Sequence, residues 1–259
     1  MNILMMTDLE GITGVDSIDM IPYGSEGYRN ACIQLEKEIN TVVRGFFDGG
    51  ADHVYVIDGH GGGNNFNPEQ IDRRAVVLKY PAWEKIVQDG LIDAYAEIGL
   101  HAMAGTEHAF LDHTQSSVKI FDYTINGVSY GELGQAAAFV GAFDVPVIMV
   151  SGDHAICEEA KNLIEGISVA PVKQALCRNK AVSLPEKEAR ELLYTTAKNS
   201  LRSITKIKPF KVPLPAEVRW VYQRADYCDE VMEQGKFERL NARTVRKKVT
   251  GIYSYFDLL

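Results

Sequence analysis

The chain has 259 residues, a formal net charge of −8 at pH 7 and 46% hydrophobic residues. This composition is typical of a globular protein with a large core, and the acidic balance argues against nucleic acid or an anionic membrane as a partner. No apolar run approaches the length of a membrane span, so we expect no membrane partner and a cytoplasmic protein.

The first half of the chain alternates apolar runs with helical patterns. Residues 2–7 predict a buried strand, and residues 53–57 and 96–100 predict two more. An apolar repeat at helical spacing over 32–46 predicts a helix, which the pair Gly49-Gly50 ends. This rhythm predicts an α/β fold, with a mostly parallel sheet flanked by helices.

The second half continues this alternation and then changes. Predicted strands cover 118–125, 146–150 and 167–172, and predicted helices cover 132–142, 158–164 and 185–204. Asn126-Gly127 is a strong hairpin signal. Three prolines make 206–215 the only candidate linker. After it, apolar residues alternate with others around Trp220. We therefore expect an α/β domain over 1–205 and a smaller mixed α+β segment over 206–259, which could pack as part of the same unit.

The four cysteines are scattered and form no CxxC pair: Cys32, Cys157, Cys177 and Cys228. This pattern argues against a thiolate zinc site or a redox dithiol, and a chain of this length needs no disulfides for stability. We expect buried, reduced thiols.

Acidic and histidine side chains follow the predicted strands. Asp8 and Glu10 come directly after the first strand, and side chains two apart on an extended backbone point to the same side. His60 follows the second strand, His101 follows the third, and Glu132 begins a predicted helix. Carboxylate and imidazole ligands without thiolate suit zinc or a similar divalent ion. Five ligands exceed the need of one tetrahedral zinc and suffice for two ions bridged by a carboxylate, for which Asp8 is the natural candidate.

Each of these residues also has a structural interpretation. A strand-end Asp is often a turn or helix cap, and Glu132 could be an acid favoured by the helix dipole. His60, within a glycine-rich turn, could hydrogen-bond to backbone. The residues alone leave both interpretations open.

The chain resembles the DppA-type D-aminopeptidases, which are dinuclear zinc metallopeptidases, over about its first 185 residues. The strings that carry the resemblance are DLEGITGV at 8–15, DGH at 58–60, GLHAMA at 99–104, HT at 113–114, NG at 126–127, GELG at 131–134, DVPVIMV at 144–150, GD at 152–153 and APVKQ at 170–174.

The resemblance implies that two Zn²⁺ ions per subunit, or other divalent ions, are held by Asp8, Glu10, His60, His101 and Glu132. It further implies that His113 is the catalytic histidine, with His108 in the preceding loop as a rival. Asp58 could orient His60, or it could be a turn acid.

The family resemblance also implies a short peptide substrate that loses its N-terminal residue, with D-alanine as the candidate. A homo-oligomer enclosing its active sites, with a decameric ring as one candidate, is implied as well.

Three alternative functions have to be weighed. Residues 127–131 match GxSxG around Ser129, which would suit a serine hydrolase, but the motif follows a hairpin turn and lacks its strand–turn–helix setting. A non-catalytic dipeptide-binding protein would not need five convergent ligands. A dizinc hydrolase of another amide or of a phosphoester is harder to exclude, because the ligands specify hydrolysis better than substrate.

Overall fold

The computed structural model describes residues 1–80 and 82–259, and its larger layer is a seven-stranded sheet. In spatial order its strands are β3 (Val76–Leu78), β2 (His53–Asp58), β1 (Asn2–Thr7), β4 (Ala94–Leu100), β7 (Val147–Asp153), β8 (Ser168–Cys177) and β9 (Lys180–Ser183). Neighbouring strands run parallel from β3 to β8, and only the edge strand β9 pairs antiparallel. The predicted α/β class with a mostly parallel sheet is confirmed.

Six α-helices lie among the described residues: α1 (Glu26–Gly49), α2 (Ala82–Gln88), α3 (Glu132–Ala142), α4 (His154–Leu163), α5 (Glu186–Ser200) and α6 (Ala225–Met232). The helix predicted over 32–46 is confirmed and begins earlier, because the Ser25 side chain accepts a hydrogen bond from the Tyr28 backbone N–H at 3.0 Å. Gly50 ends it in the left-handed conformation, with a φ of 103°.

A second, five-stranded sheet has the spatial order β11 (Glu238–Arg239), β12 (Thr244–Val249), β10 (Ala216–Tyr222), β5 (Ile120–Ile125) and β6 (Val128–Ser129). All of its pairings are antiparallel. Asn126 and Gly127 form the predicted hairpin turn between β5 and β6, with φ of 53° and 79°.

The second sheet contains chain from both sides of the predicted boundary at 205/206. Strands β5 and β6 precede the boundary, and β10 to β12 follow it. The C-terminal Tyr255 also packs edge-to-face against Trp83, with 5.4 Å between ring centroids, and its hydroxyl lies 3.2 Å from Gln135 Oε1. The segment 206–259 therefore packs with the first part, and the boundary itself stays a prediction.

Two local expectations need correction. The helix predicted to start at 158 begins at His154, because the Asp153 side chain caps it and accepts the Ile156 N–H at 3.0 Å. All four cysteines are free, but the expectation that all are buried is wrong: Cys32 is half-buried and Cys177 is exposed. Cys177 is exposed because β8 runs on to the sheet edge, past the predicted end at 172.

The carboxyl ends of β1, β2 and β4 meet at one edge of the parallel sheet, where an open α/β sheet places its ligands. Within the described residues, no helix has both the length and the apolar character needed to cross a membrane.

Candidate metal centre

The loop after β1 is held tightly against β4. Asp8 N–H donates to the Ile98 carbonyl at 2.8 Å, and Gly11 N–H donates to the Gly99 carbonyl at 2.7 Å. A Cβ on Gly11 would lie 2.3 Å from the Leu100 carbonyl oxygen, so only glycine permits this approach. The loop therefore fixes the two acids beside it, Asp8 and Glu10, which are buried.

One group of possible ligands consists of Asp8, Glu10 and His60. His60 Nδ1 lies 3.0 Å from Asp8 Oδ1 and 2.9 Å from Glu10 Oε2. Burial opposes the charged form of His60, but its hydrogen bonds to the two carboxylates raise its pKa to about 11. The pocket thus favours a positive charge, which a proton on His60 or a metal ion can supply.

The two acids of this group titrate differently. Burial and then the charge of Glu10 raise the pKa of Asp8 to about 7. Burial also acts to raise the pKa of Glu10, but the hydrogen bond and charge of His60 outweigh it and hold this pKa well below the usual value. Two carboxylates this close together repel each other when both are ionised, unless a cation neutralises their charge.

A second group forms on the other side of Asp8. His101 Nε2 lies 3.4 Å from Asp8 Oδ2 and 3.5 Å from Glu132 Oε1. His101 Nδ1 lies 3.1 Å from the Ala102 carbonyl oxygen, an arrangement that leaves Nε2 facing the carboxylates. Glu132 begins α3, and its Oε1 accepts the Gln115 N–H at 2.7 Å. This hydrogen bond fixes the carboxylate towards His101.

Asp8 therefore directs one oxygen to each group. Among the described residues, Asp8 Oδ2 is a buried side-chain oxygen without a hydrogen-bond partner. Buried acceptors are normally satisfied, and an unsatisfied carboxylate oxygen is costly unless it binds a cation. The donor set of three carboxylates and two imidazoles, without thiolate, fits zinc or a similar divalent ion. The five sequence-predicted ligands are thus brought together.

His113 lies against the second group. Its ring stacks on His101, with 3.7 Å between centroids and 13° between planes, and its Nε2 lies 4.0 Å from Glu132 Oε1. Its Nδ1 lies 2.8 Å from the Leu111 carbonyl oxygen, which favours the tautomer with a free Nε2 lone pair. Burial and the nearby His101 lower the pKa of His113. His113 is thus neutral near pH 7, and it is also near enough to His101 and Glu132 to act as a ligand.

The rival His108 lies elsewhere. It is exposed, has a φ of 56°, and belongs to neither group of possible ligands. It lines a cavity of about 640 Å³ together with Met103, Ser129 and His154. Ser129 lies on the antiparallel edge strand β6 and not on a strand-to-helix turn, so the GxSxG match lacks the geometry of a nucleophile elbow.

Asp58 contacts the His60 loop and not the His60 ring. Its Oδ2 accepts the Asn65 N–H at 2.6 Å and its Oδ1 accepts Asn65 Nδ2 at 2.9 Å. Asn65 Nδ2 also donates to the His60 carbonyl at 2.7 Å. The His60 Nδ1 instead faces Asp8 and Glu10, so the link from Asp58 to His60 runs through the loop backbone that Asn65 holds.

Two supporting residues were missed in the sequence. Lys173 is buried, and its Nζ donates to the Glu10 carbonyl at 2.8 Å and to the Val15 carbonyl. Burial lowers its pKa to about 8. Glu159 Oε2 accepts the Met103 N–H at 2.8 Å, two residues after His101. Lys173 directly follows the predicted apolar strand 167–172, and a lysine at that position is a sequence signal of a buried cation. The local sequence pattern around Glu159 gives no such signal.

Comparisons with known proteins agree with this architecture. A family model described as D-aminopeptidase, peptidase family M55, matches residues 1–259. The D-aminopeptidase of Bacillus subtilis (strain 168) is 30% identical over 216 residues, which cover 82% of this chain and 78% of that protein.

A solved structure has the same fold. The Zn-dependent D-aminopeptidase DppA from Bacillus subtilis, described as a self-compartmentalizing protease, superposes with a TM-score of 0.93 at 24% identity, covering 100% of this chain and 95% of that one. The resemblance predicted from the motifs is confirmed. The chain belongs to the D-aminopeptidase family of peptidases, M55, and is a hydrolase of that family.

Proposed function

We propose that this protein is a zinc-dependent D-aminopeptidase whose centre holds two metal ions per subunit. One ion would be held by Asp8, Glu10 and His60, and the other by Asp8, His101 and Glu132. The observation that best supports two ions is that Asp8 directs Oδ1 to His60 and Oδ2 to His101. One carboxylate serving two ligand groups is the usual arrangement of a bridging ligand.

When bound, two such ions polarise a carbonyl and lower the pKa of a water molecule. We assign the role of general base and acid in catalysis to His113. Its neutral imidazole has Nδ1 fixed by the Leu111 carbonyl and a free Nε2 near Glu132, so it can accept a proton and return it to the leaving amine. Its lowered pKa keeps this base unprotonated at neutral pH.

The substrate that we propose is a short peptide with an N-terminal D-residue, with D-alanine as the first candidate. The support is that the relatives are D-aminopeptidases, together with a centre suited to hydrolysis. The centre alone would serve another amide or a phosphoester equally well, so a substrate experiment is needed.

We also propose a homo-oligomer that encloses its active sites, with a decamer as the specific candidate. The support is the description of the structural relative as self-compartmentalizing. A cytoplasmic location is proposed as well, since four free cysteines suit a reducing compartment. Light scattering of the purified protein would give the number of subunits.

The deciding experiment compares D-alanyl and L-alanyl p-nitroanilide as substrates of zinc-loaded, chelated and zinc-restored protein. We expect D-selective release that chelation abolishes and zinc restores. If zinc stays bound but neither enantiomer reacts, the aminopeptidase proposal fails and phosphoesters and other amides become the candidates. Equal rates for both enantiomers would contradict only the D-preference.

A further inference from the structure

A cleft with a volume of about 530 Å³ has His113 in its wall. This volume lies within the range of small-molecule sites, about 300–1,000 Å³, and exceeds the space that a single alanine residue needs. The remainder of a short peptide therefore fits beside the residue that is removed. The chemistry of the other wall residues decides which part of a substrate they can bind.

Three large apolar side chains in this wall are exposed. Val118 is 65% exposed, Phe121 is 59% exposed and Ile18 is 38% exposed. Exposed apolar side chains scattered singly are ordinary, but a group beside a catalytic histidine is typical of a ligand-binding surface. Phe121 belongs to β5, so a sheet strand and not only a loop positions this surface.

The charged groups of the same cleft are largely engaged with each other. Arg178 Nε lies 3.1 Å from Asp112 Oδ1, and a terminal guanidinium nitrogen of Arg178 donates to the Asp112 carbonyl at 3.1 Å. Asp112 Oδ2 accepts the Gly105 N–H at 2.7 Å. Asp122 adds a further acid to the lining. A charged ligand would therefore find few free charged partners in the cleft, and an acidic ligand is disfavoured by Asp122.

We propose that this cleft receives the residue that follows the cleaved bond, and that Val118 and Phe121 make the enzyme prefer an apolar side chain there. This inference rests on the proposed aminopeptidase function. Burial of a side chain against Phe121 is favourable because it removes apolar surface from water, whereas glycine gains nothing and aspartate meets Asp122. The two residues are specificity-determining and take no part in bond cleavage.

The test compares four substrates of the zinc-loaded protein: D-alanyl-phenylalanine, D-alanyl-glycine, D-alanyl-aspartate and D-alaninamide. We expect kcat/KM for the phenylalanine peptide to exceed that for the glycine peptide about tenfold, mostly through KM, with aspartate slowest. D-alaninamide is the internal reference, because its reaction is the same but no side chain follows the cleaved bond.

The variant Phe121→Ala, alone and with Val118→Ala, should reduce the phenylalanine preference to about threefold or less. Its kcat/KM for D-alaninamide should stay unchanged. Val182→Ala is the matched control, since Val182 is 55% exposed on β9 outside the cleft. An unchanged preference in Phe121→Ala would overturn the inference.

Three further outcomes separate this inference from others. If the wild type cleaves neither D-alaninamide nor any of the peptides with zinc bound, the proposed function fails. If it cleaves D-alaninamide but shows no preference among the peptides, only the cleft assignment fails. If Phe121→Ala changes the number of subunits measured by light scattering, the wall is a subunit contact and the inference is overturned.

Discussion

The imidazole rings of His101 and His113 lie face to face, with 3.7 Å between their centroids and 13° between their planes. A positive charge on one ring disfavours a charge on the other, and this contributes to the lowered pKa of His113. One histidine of the pair faces Asp8 and Glu132 with its Nε2, while the other keeps a free Nε2 lone pair nearby. The two stacked histidines thus have different proposed roles, His101 as a metal ligand and His113 as a base.

The first prediction concerns this base. His113→Ala should keep its zinc and lose kcat by about 10²–10⁴-fold, the usual contribution of a general acid–base group. Steady-state kinetics and metal analysis by mass spectrometry measure the two effects. His108→Ala, an exposed control, should behave like the wild type. Loss of zinc from His113→Ala would instead make His113 a fourth ligand, beside Asp8, His101 and Glu132.

The second prediction concerns the proposed bridge. Asp8→Ala should lose both metal ions and all activity, because each ligand group contains one Asp8 oxygen. Asp89→Ala, at an exposed acid, should retain both. The check is metal content per subunit after dialysis against buffer without zinc. Full metal content in Asp8→Ala would refute the bridging role.

The third prediction is a pH dependence of zinc affinity. In the metal-free protein the pKa of His60 is raised to about 11, so His60 carries a proton at neutral pH that zinc must displace. The zinc affinity of the group formed by Asp8, Glu10 and His60 should therefore rise about tenfold per pH unit between pH 7 and 9. Below pH 7 a proton on Asp8, whose pKa is about 7, should make the dependence steeper. Chelator competition at several pH values measures this, and a flat profile would contradict it.

The fourth prediction concerns Lys173, which holds the loop that carries Asp8 and Glu10. Lys173→Met should lower the free energy of unfolding by about 1–3 kcal/mol for each of the Glu10 and Val15 carbonyls, because it leaves these acceptors without their donor. The buried acids Glu38 and Asp153 would then also lose their favourable charge interaction with Lys173. Urea denaturation provides the measurement, and Lys180→Met is the exposed control. Equal stability of the two variants would show that Lys173 does not support the loop.

Most strands of the parallel sheet and the sequence positions of the candidate ligands could be predicted because both follow from local patterns. Asp8 and His60 end apolar runs, and parallel strands bring their ends to one edge. The second sheet could not be predicted, since it pairs β5 with β10, about a hundred residues away along the chain. The same limit hid Lys173, whose contacts with Glu10 and Val15 cross more than 150 residues. Asp58 was predicted beside His60, but its partner Asn65 depends on how the glycine-rich turn folds.

The most direct test of the two-ion centre is anomalous diffraction at the zinc edge from crystals of the zinc-loaded protein. We expect two peaks about 3.5–4 Å apart, on the two sides of the Asp8 carboxylate. One should lie between Glu10 and His60, and the other between His101 and Glu132. A single peak at full occupancy, or a second peak away from Asp8, would contradict the account.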